Sequence, residues 1–277
     1  MKELVKRTVF GVLFVLVVVF GLVIYPTVFP AFCILLIGRG MSEFYTMALG
    51  PDHYKFERFF AMLAVASLHV LLFFAVFGDL AYRWAALSLL PLLIMMVGPI
   101  FRTDHSDVGN MGVICAGIVY FGLPVALVPF LVCKDGEFSG WLLLGLLCII
   151  WLSDVGAYCL GTLFGQKPSS RKLCPAISPK KSWWGFAGAL LFGIGVALAV
   201  RALGWMPFAV GHCIALGVIV SAGGVAGDLV ESMWKRFFGV KDSGNAIPGH
   251  GGLYDRFDSS LVAIPLAAVY MTVFGLL

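Results

Sequence analysis

Four carboxylates stand where an apolar chain would be expected to exclude them. Asp154 lies inside the run "IIWLSDVGAYCL", Asp228 on the last apolar turn of "GGVAGDLVES", and Asp255 and Asp258 in "YDRFDSS". A charge in or beside a hydrophobic span is costly, so it is paired, faces a cavity or takes part in chemistry. Carboxylate oxygens are hard ligands. They suit Mg²⁺, which takes one or two of them and leaves its other positions to water and phosphate oxygens. Asp228, Asp255 and Asp258 are the expected metal ligands. The segment that carries the last two, "SMWKRFFGVKDSGNAIPGHGGLYDRFDSS", also holds Lys235, Arg236, Lys241 and Arg256. Cations beside metal-type acids suit a substrate with phosphate along its length. On a helix continuing past Asp228, the residues Asp228, Glu231, Ser232 and Lys235 share one face, by their i, i+3, i+4, i+7 spacing.

The turn "PGHGG" adds a different property. Gly249, Gly251 and Gly252 let the backbone approach a ligand or adopt positive φ. Exposed N–H groups in such a turn can cradle an anion. His250, alone among glycines, orients the loop and is no zinc ligand. The chain has no GxxxxGK[ST], so this is not a P-loop. A second polar loop, "GQKPSSRKLCPAISPKKSWWG", carries Lys167, Arg171, Lys172, Lys180 and Lys181. Two readings stay open for it: an anchor on anionic lipid heads, or clamps for the phosphates of a nucleotide or lipid. Arg39 and Glu43, four residues apart, read as a structural pair on one helix face.

These residues need membrane helices to position them. Of 277 residues, 61% are hydrophobic and only 12% charged, and the mean hydropathy is +0.99. A soluble domain is nearer half apolar and a quarter charged. Runs long enough to cross a bilayer fall at roughly 8–25, 27–48, 59–77, 84–101, 111–132, 139–163, 183–202, 206–229 and 258–277. In lipid every backbone polar group must be paired within its own segment, and no run alternates with period two, so helices are the reading. The expected fold is all-α: a polytopic bundle of about nine transmembrane helices, forming one membrane domain. The first run, though preceded by Lys2, Lys6 and Arg7, has no small-x-small cleavage site after it, and reads as a span and not a signal.

With the N-terminus placed in the cytosol, inner segments hold 15 Lys and Arg and outer segments hold Arg83, Lys134 and Arg201. The positive-inside rule then sets the N-terminus cytosolic, the C-terminus outside and both charged loops on the cytosolic face of the cell's inner membrane. In that topology the sixth and eighth spans end, and the ninth begins, near the cytosolic surface. Asp154, Asp228, Asp255 and Asp258 are expected to converge there. The net charge of +4 is spread over separate loops, which argues against a nucleic-acid partner. The seven cysteines form no CxxC and read as small buried hydrophobes, without disulfides or zinc.

The pattern Ser232, Lys235-Arg236, Lys241-Asp242, Gly244, Pro248-Gly249-His250-Gly251-Gly252 and Asp255-Arg256-x-Asp258 resembles the signature of CDP-diacylglycerol synthases, also called phosphatidate cytidylyltransferases. "SDVGAYCLGTLFG" and "ISPKKSWWG" resemble further stretches of that family, so the likeness covers about 151–277, the expected catalytic half. Glu-Phe-Tyr at 43–45 is a fainter echo. One position departs: where the family carries an acid after Pro-Lys-Lys, this chain has Trp184.

The resemblance implies an enzyme that transfers the cytidylyl group of CTP to phosphatidate, a membrane lipid, giving CDP-diacylglycerol and pyrophosphate with Mg²⁺. A second cation and a homodimer are compatible with it. Asp228, Lys235, Arg236, Asp255 and Arg256 are the expected catalytic residues. Asp154, Lys180, Lys181, Lys241, Gly249, His250, Gly251 and Gly252 are expected to hold the phosphates. A CTP-dependent polyprenol kinase would use a similar ligand set. A transporter of an anionic solute fits less well, because paired broken helices in matching halves are not evident. A non-catalytic lipid scaffold would not need so many metal-type acids.

Overall fold

The computed structural model describes residues 2–23, 28–101, 108–134, 136–244 and 251–277. Eight helical segments among them are long and apolar enough to cross a membrane. They run over Val28–Leu49, Lys55–Phe77, Tyr82–Phe101, Val108–Leu131, Trp141–Leu163, Trp183–Ala202, Val210–Phe237 and Tyr254–Val273. The chain is a polytopic all-α membrane protein. The first expected span is helical too (α1, Lys2–Val23), 22 residues long.

Three of these segments are not continuous α-helix: Tyr254–Val273 breaks between Phe257 and Ser260, and two others break contrary to the sequence expectation. In the Tyr82–Phe101 segment, α4 (Leu89–Val97) is flanked by 3₁₀ turns at Tyr82–Ser88 and Gly98–Phe101. In Val108–Leu131, α5 (Met111–Gly117) passes through a π turn at Ile118–Gly122 into α6 (Leu123–Ala126) and then a 3₁₀ turn at Val128–Leu131. Pro124 and Pro129 supply the cause: each lacks the N–H that the i→i−4 ladder needs, and the helix widens or tightens around the gap.

The chain forms two compact units. The first comprises Met1–Ser139 with Val240–Arg256. In it α2 (Val28–Leu49) and α3 (Lys55–Phe77) pack with α4 to α6. Its centre is aromatic: Phe44 and Phe121 lie with ring centroids 5.9 Å from Tyr254. The Tyr45 hydroxyl donates to the Ile114 carbonyl at 2.9 Å. A two-stranded ribbon pairs β1 (Cys133–Lys134) with β2 (Glu137–Phe138).

The second unit comprises Gly140–Gly239 with Phe257–Leu277. It contains α7 (Trp141–Leu163), α8 (Trp183–Ala202), α9 (Val210–Phe237) and α11 (Ser260–Val273), the last following the single turn α10 (Tyr254–Phe257). Small residues recur on the buried faces of its helices, and many large apolar residues face outward. Gly156 faces Gly188 between α7 and α8, so closely that a methyl on Gly188 would strike the Gly156 carbonyl. Leu152, Val155, Leu191, Val218, Leu266 and Val269 are exposed. That arrangement suits a lipid solvent, in which apolar side chains gain nothing by turning inward and helices associate by close backbone packing. Between α7 and α8 the polar loop forms a hairpin of β3 (Lys172–Cys174) and β4 (Ser178–Ser182). The sequence reading anticipated neither ribbon.

Candidate active site

The second unit contains a cavity of about 710 Å³. One face of α7 supplies Asp154, Ala157, Tyr158, Gly161 and Thr162, spaced as neighbours on an α-helix. From α9 come Val225 and Asp228, and from β4 come Lys180 and Lys181. The cavity thus joins two acids and two cations to an apolar wall. Asp154, Asp228, Lys180 and Lys181, separately expected to bind substrate or metal, line this one space.

The hairpin that carries the lysines is fixed at several points. Gln166 donates through its amide to the Lys180 carbonyl at 3.0 Å and to the Gly161 carbonyl at 3.4 Å. Lys172 donates to the Gly165 carbonyl at 2.8 Å and to Gln166 Oε1 at 3.1 Å. Gly165 lies two residues past the end of α7, so the lysine also complements the negative end of that helix. Ser182 caps α8, its hydroxyl accepting the Gly185 N–H at 3.2 Å. Trp184, where the resemblance led to the expectation of an acid, lies exposed in the first turn of α8 with its ring 5.4 Å from Phe164.

A cluster of acids adjoins the cavity at Asp228. Carboxylate oxygens of Asp228, Glu231 and Asp258 all lie within 4.8 Å of one another, near enough to share a metal ion. Three hard oxygen donors fit Mg²⁺ or a similar cation. The α9 helix continues two turns past Asp228, to Phe237, which puts Asp228 and Glu231 on one face as their spacing required. Gly227 admits the third acid. A Cβ there would lie 3.0 Å from Ser259 Cα and press on the Asp258 carbonyl. Only a bare Cα lets the start of α11 come this close. The Ser259 N–H donates to Asp258 Oδ1 at 2.6 Å.

Cations answer two of these acids. Lys181 Nζ lies 2.6 Å from Asp228 Oδ2, and Lys235 Nζ lies 2.6 Å from Glu231 Oε2. Ser232 adds a hydroxyl to Asp228 Oδ1 at 3.3 Å. Glu231 was seen in the sequence only as a member of an amphipathic face. Its spacing from Asp228 was legible, but its burial, at 2% exposure, was not. Arg236 is exposed in the last turn of α9.

The remaining expected residues belong to the first unit. Asp255 Oδ2 accepts the N–H groups of Gly252 at 2.8 Å and Ser243 at 3.2 Å, so this carboxylate organises its own loop. Gly251 has φ +79°, a conformation that favours glycine. Lys241 and Arg256 are exposed. Glu43 holds the same loop to α2. One of its oxygens lies 3.2 Å from Arg39 Nε, and the other accepts the Tyr254 N–H at 2.9 Å. The expected Arg39–Glu43 pair is therefore present, and Glu43 has a further task that spacing did not reveal. Gly249 and His250 lie outside the described residues.

Comparison with known proteins adds a family to this geometry. The sequence model of the Cytidylyltransferase family matches residues 5–274. A protein of Staphylococcus aureus (strain COL) named phosphatidate cytidylyltransferase is 48% identical over 125 residues, 44% of this chain and 46% of the relative. Proteins of the same name from Staphylococcus saprophyticus and Staphylococcus epidermidis are each 43% identical over 123 residues. The matched stretch spans about half the length of these curated relatives.

Proposed function

The chain belongs to the cytidylyltransferase family, and on that premise we propose that it transfers the cytidylyl group of CTP to phosphatidate, releasing pyrophosphate. The observation that carries this reading is the cavity of the second unit, where Asp154 and Asp228 stand beside Lys180 and Lys181. Cationic and metal-ligating groups on one wall suit phosphate chains. The apolar wall of Tyr158, Phe186 and Val225 suits a lipid.

A phosphate oxygen of phosphatidate attacks the α-phosphorus of CTP. The new P–O bond forms as the bond to the bridging oxygen breaks, and pyrophosphate leaves with that oxygen. The nucleophile is already an anion, so the reaction needs little general-base help. It needs two anionic reactants to be held in line and their charge to be offset. Lys180 and Lys181 neutralise phosphate oxygens, with Lys235, Arg236 and Arg256 as further phosphate contacts implied by the motif. Asp228, Glu231 and Asp258 would hold a divalent cation such as Mg²⁺, which withdraws charge from the α-phosphorus when bound. The reaction takes place at the cytosolic face of the inner membrane, where a soluble nucleotide meets a lipid headgroup.

Incubation of purified protein with phosphatidate, labelled CTP and Mg²⁺ should yield a labelled CDP-lipid. Asp228→Asn should lower turnover by roughly a hundredfold or more, the scale of removing one strong transition-state stabiliser. Asp255→Asn tests the motif assignment, and unchanged turnover would remove it. Absence of product with phosphatidate, but phosphorylation of a polyprenol, would replace the reading with that of a kinase.

A further inference from the structure

Lys181 cannot pair with Asp228 and serve a phosphate at the same moment, yet the site needs Asp228 for a cation. We propose that Lys181 is an exchangeable counter-ion. It neutralises Asp228 while the acid cluster is empty, is expelled when a divalent cation takes that carboxylate, and is thereby delivered to the substrate's phosphates. The inference rests on the cytidylyltransferase reading above and adds to it an order of events: cation first, lysine released, nucleotide clamped.

Four observations support it. First, the Lys181 ammonium lies 2.6 Å from Asp228 Oδ2, and the side chains are 23% and 40% exposed. Second, Lys181 Nζ is sealed from solvent and has no aligned hydrogen bond among the described residues. An ammonium offers three donors, so beyond its contact with Asp228 this one retains capacity for other acceptors. Third, the backbone on either side is fixed. The Lys180 carbonyl is held by Gln166, and Ser182 is committed to capping α8. Movement is confined to the side chain, whose flexible four-carbon stem allows it. Fourth, Lys181 and Asp228 both line the 710 Å³ cavity, which gives the released ammonium room beside Lys180.

The neighbouring pair behaves differently. Lys235 and Glu231 lie four residues apart on one helix, with exposures of 16% and 3%, and Lys235 does not line the cavity. That pairing is local to α9. Lys181 comes from another element, so its release costs α9 nothing. A divalent cation on Asp228 would repel an ammonium held at the same oxygen, and removal of that repulsion favours the exchange.

The exchange can be read on the wild-type protein by amine acylation followed by mass spectrometry. Lys172, tied to Gly165 and Gln166, is the internal reference. Mg²⁺ alone should raise labelling of Lys181 relative to Lys172 by about fivefold or more, and CTP added with Mg²⁺ should suppress it again, as expected of coupled sites. Unchanged labelling of Lys181 in a sample that binds Mn²⁺ by electron paramagnetic resonance would overturn the proposal.

Variants give an independent reading. Lys181→Met should bind Mn²⁺ on the order of tenfold more tightly and CTP more weakly, because a competitor for one and a clamp for the other are both lost. Lys181→Arg should keep near-native Mn²⁺ affinity. Equal or weaker Mn²⁺ binding in Lys181→Met would sink the idea, because a merely structural lysine would weaken both ligands together. Protein that makes CDP-diacylglycerol but shows no exchange overturns this inference alone. Protein that binds no divalent cation overturns the inference and the metal assignment together.

Discussion

At the scale of single residues, the acid cluster depends on an atom that is missing. Gly227 lacks the Cβ that would press against the Asp258 carbonyl, and so lets α11 begin beside α9. Gly227→Val should push the start of α11 away and separate Asp258 from Asp228 and Glu231. Overpacking of this kind costs about 1–3 kcal/mol. The variant should unfold at a somewhat lower temperature yet lose Mn²⁺ affinity by more than tenfold, the larger effect arising because metal ligands tolerate little displacement. A variant with native Mn²⁺ affinity would show that Asp258 is not a ligand. The type and spacing of Asp154, Asp228 and Asp258 stood out in the sequence because a carboxylate in an apolar run is too costly to be kept there without a task. Glu231 did not, since a glutamate four residues before a lysine on a helix end is also what any solvated surface would show. Glu43 was half legible. Its i, i+4 partner Arg39 is local, whereas the Tyr254 N–H that it accepts is 211 residues away and leaves no periodic trace.

At the scale of elements, the hydrophobic runs gave nearly all spans to within a few residues because twenty apolar residues in lipid leave the backbone little choice. Where the reading failed, a local chemical rule overrode hydropathy. Pro124 and Pro129 break a span that is apolar throughout. The β3–β4 hairpin was hidden because its strands are short, paired Lys172 to Ser182 and Cys174 to Ser178 with an irregularity between them, and carry no alternating pattern. That hairpin is the element presenting Lys180 and Lys181 to the cavity, so its ties should matter more for binding than for folding. Gln166→Ala removes the donor to the Lys180 carbonyl, and Lys172→Met removes the support of Gln166. Each loses a part-exposed hydrogen bond worth about 0.5–1.5 kcal/mol. The expected result is a several-fold rise in KM for CTP with kcat little changed, the sign of lost positioning of a binding group. Ser182→Ala should instead cost about 1 kcal/mol of stability through the lost cap, read as a lower unfolding temperature. If Gln166→Ala lowered kcat and left KM untouched, the hairpin would belong to the transition state and not to substrate capture.

At the scale of the whole molecule, the distribution of charge predicts which loops face the cytosol. The segment with Lys167, Arg171, Lys172, Lys180 and Lys181, and the one with Lys235, Arg236, Lys241 and Arg256, together hold nine of the 19 Lys and Arg. Lys and Arg are retained on the cytosolic side during insertion, and short loops obey this most strictly. The short loop around Asp79, with only Arg83 after it, should then face outward. Two exposed loop positions test this: Ser169, between α7 and β3, and Asp79, after α3. Ser169→Cys and Asp79→Cys can each be challenged in intact cells with a membrane-impermeant thiol reagent, and labelling measured as the gain over the parent chain, whose cysteines are free. Asp79→Cys should be labelled in intact cells. Ser169→Cys should be labelled only after the membrane is opened. The opposite result would put the cavity of Asp154, Lys181 and Asp228, which shares the hairpin's loop, on the face that never meets cytosolic CTP. No arrangement of ligands in that cavity could then rescue the proposed reaction, because one of its two substrates would be on the wrong side of the bilayer.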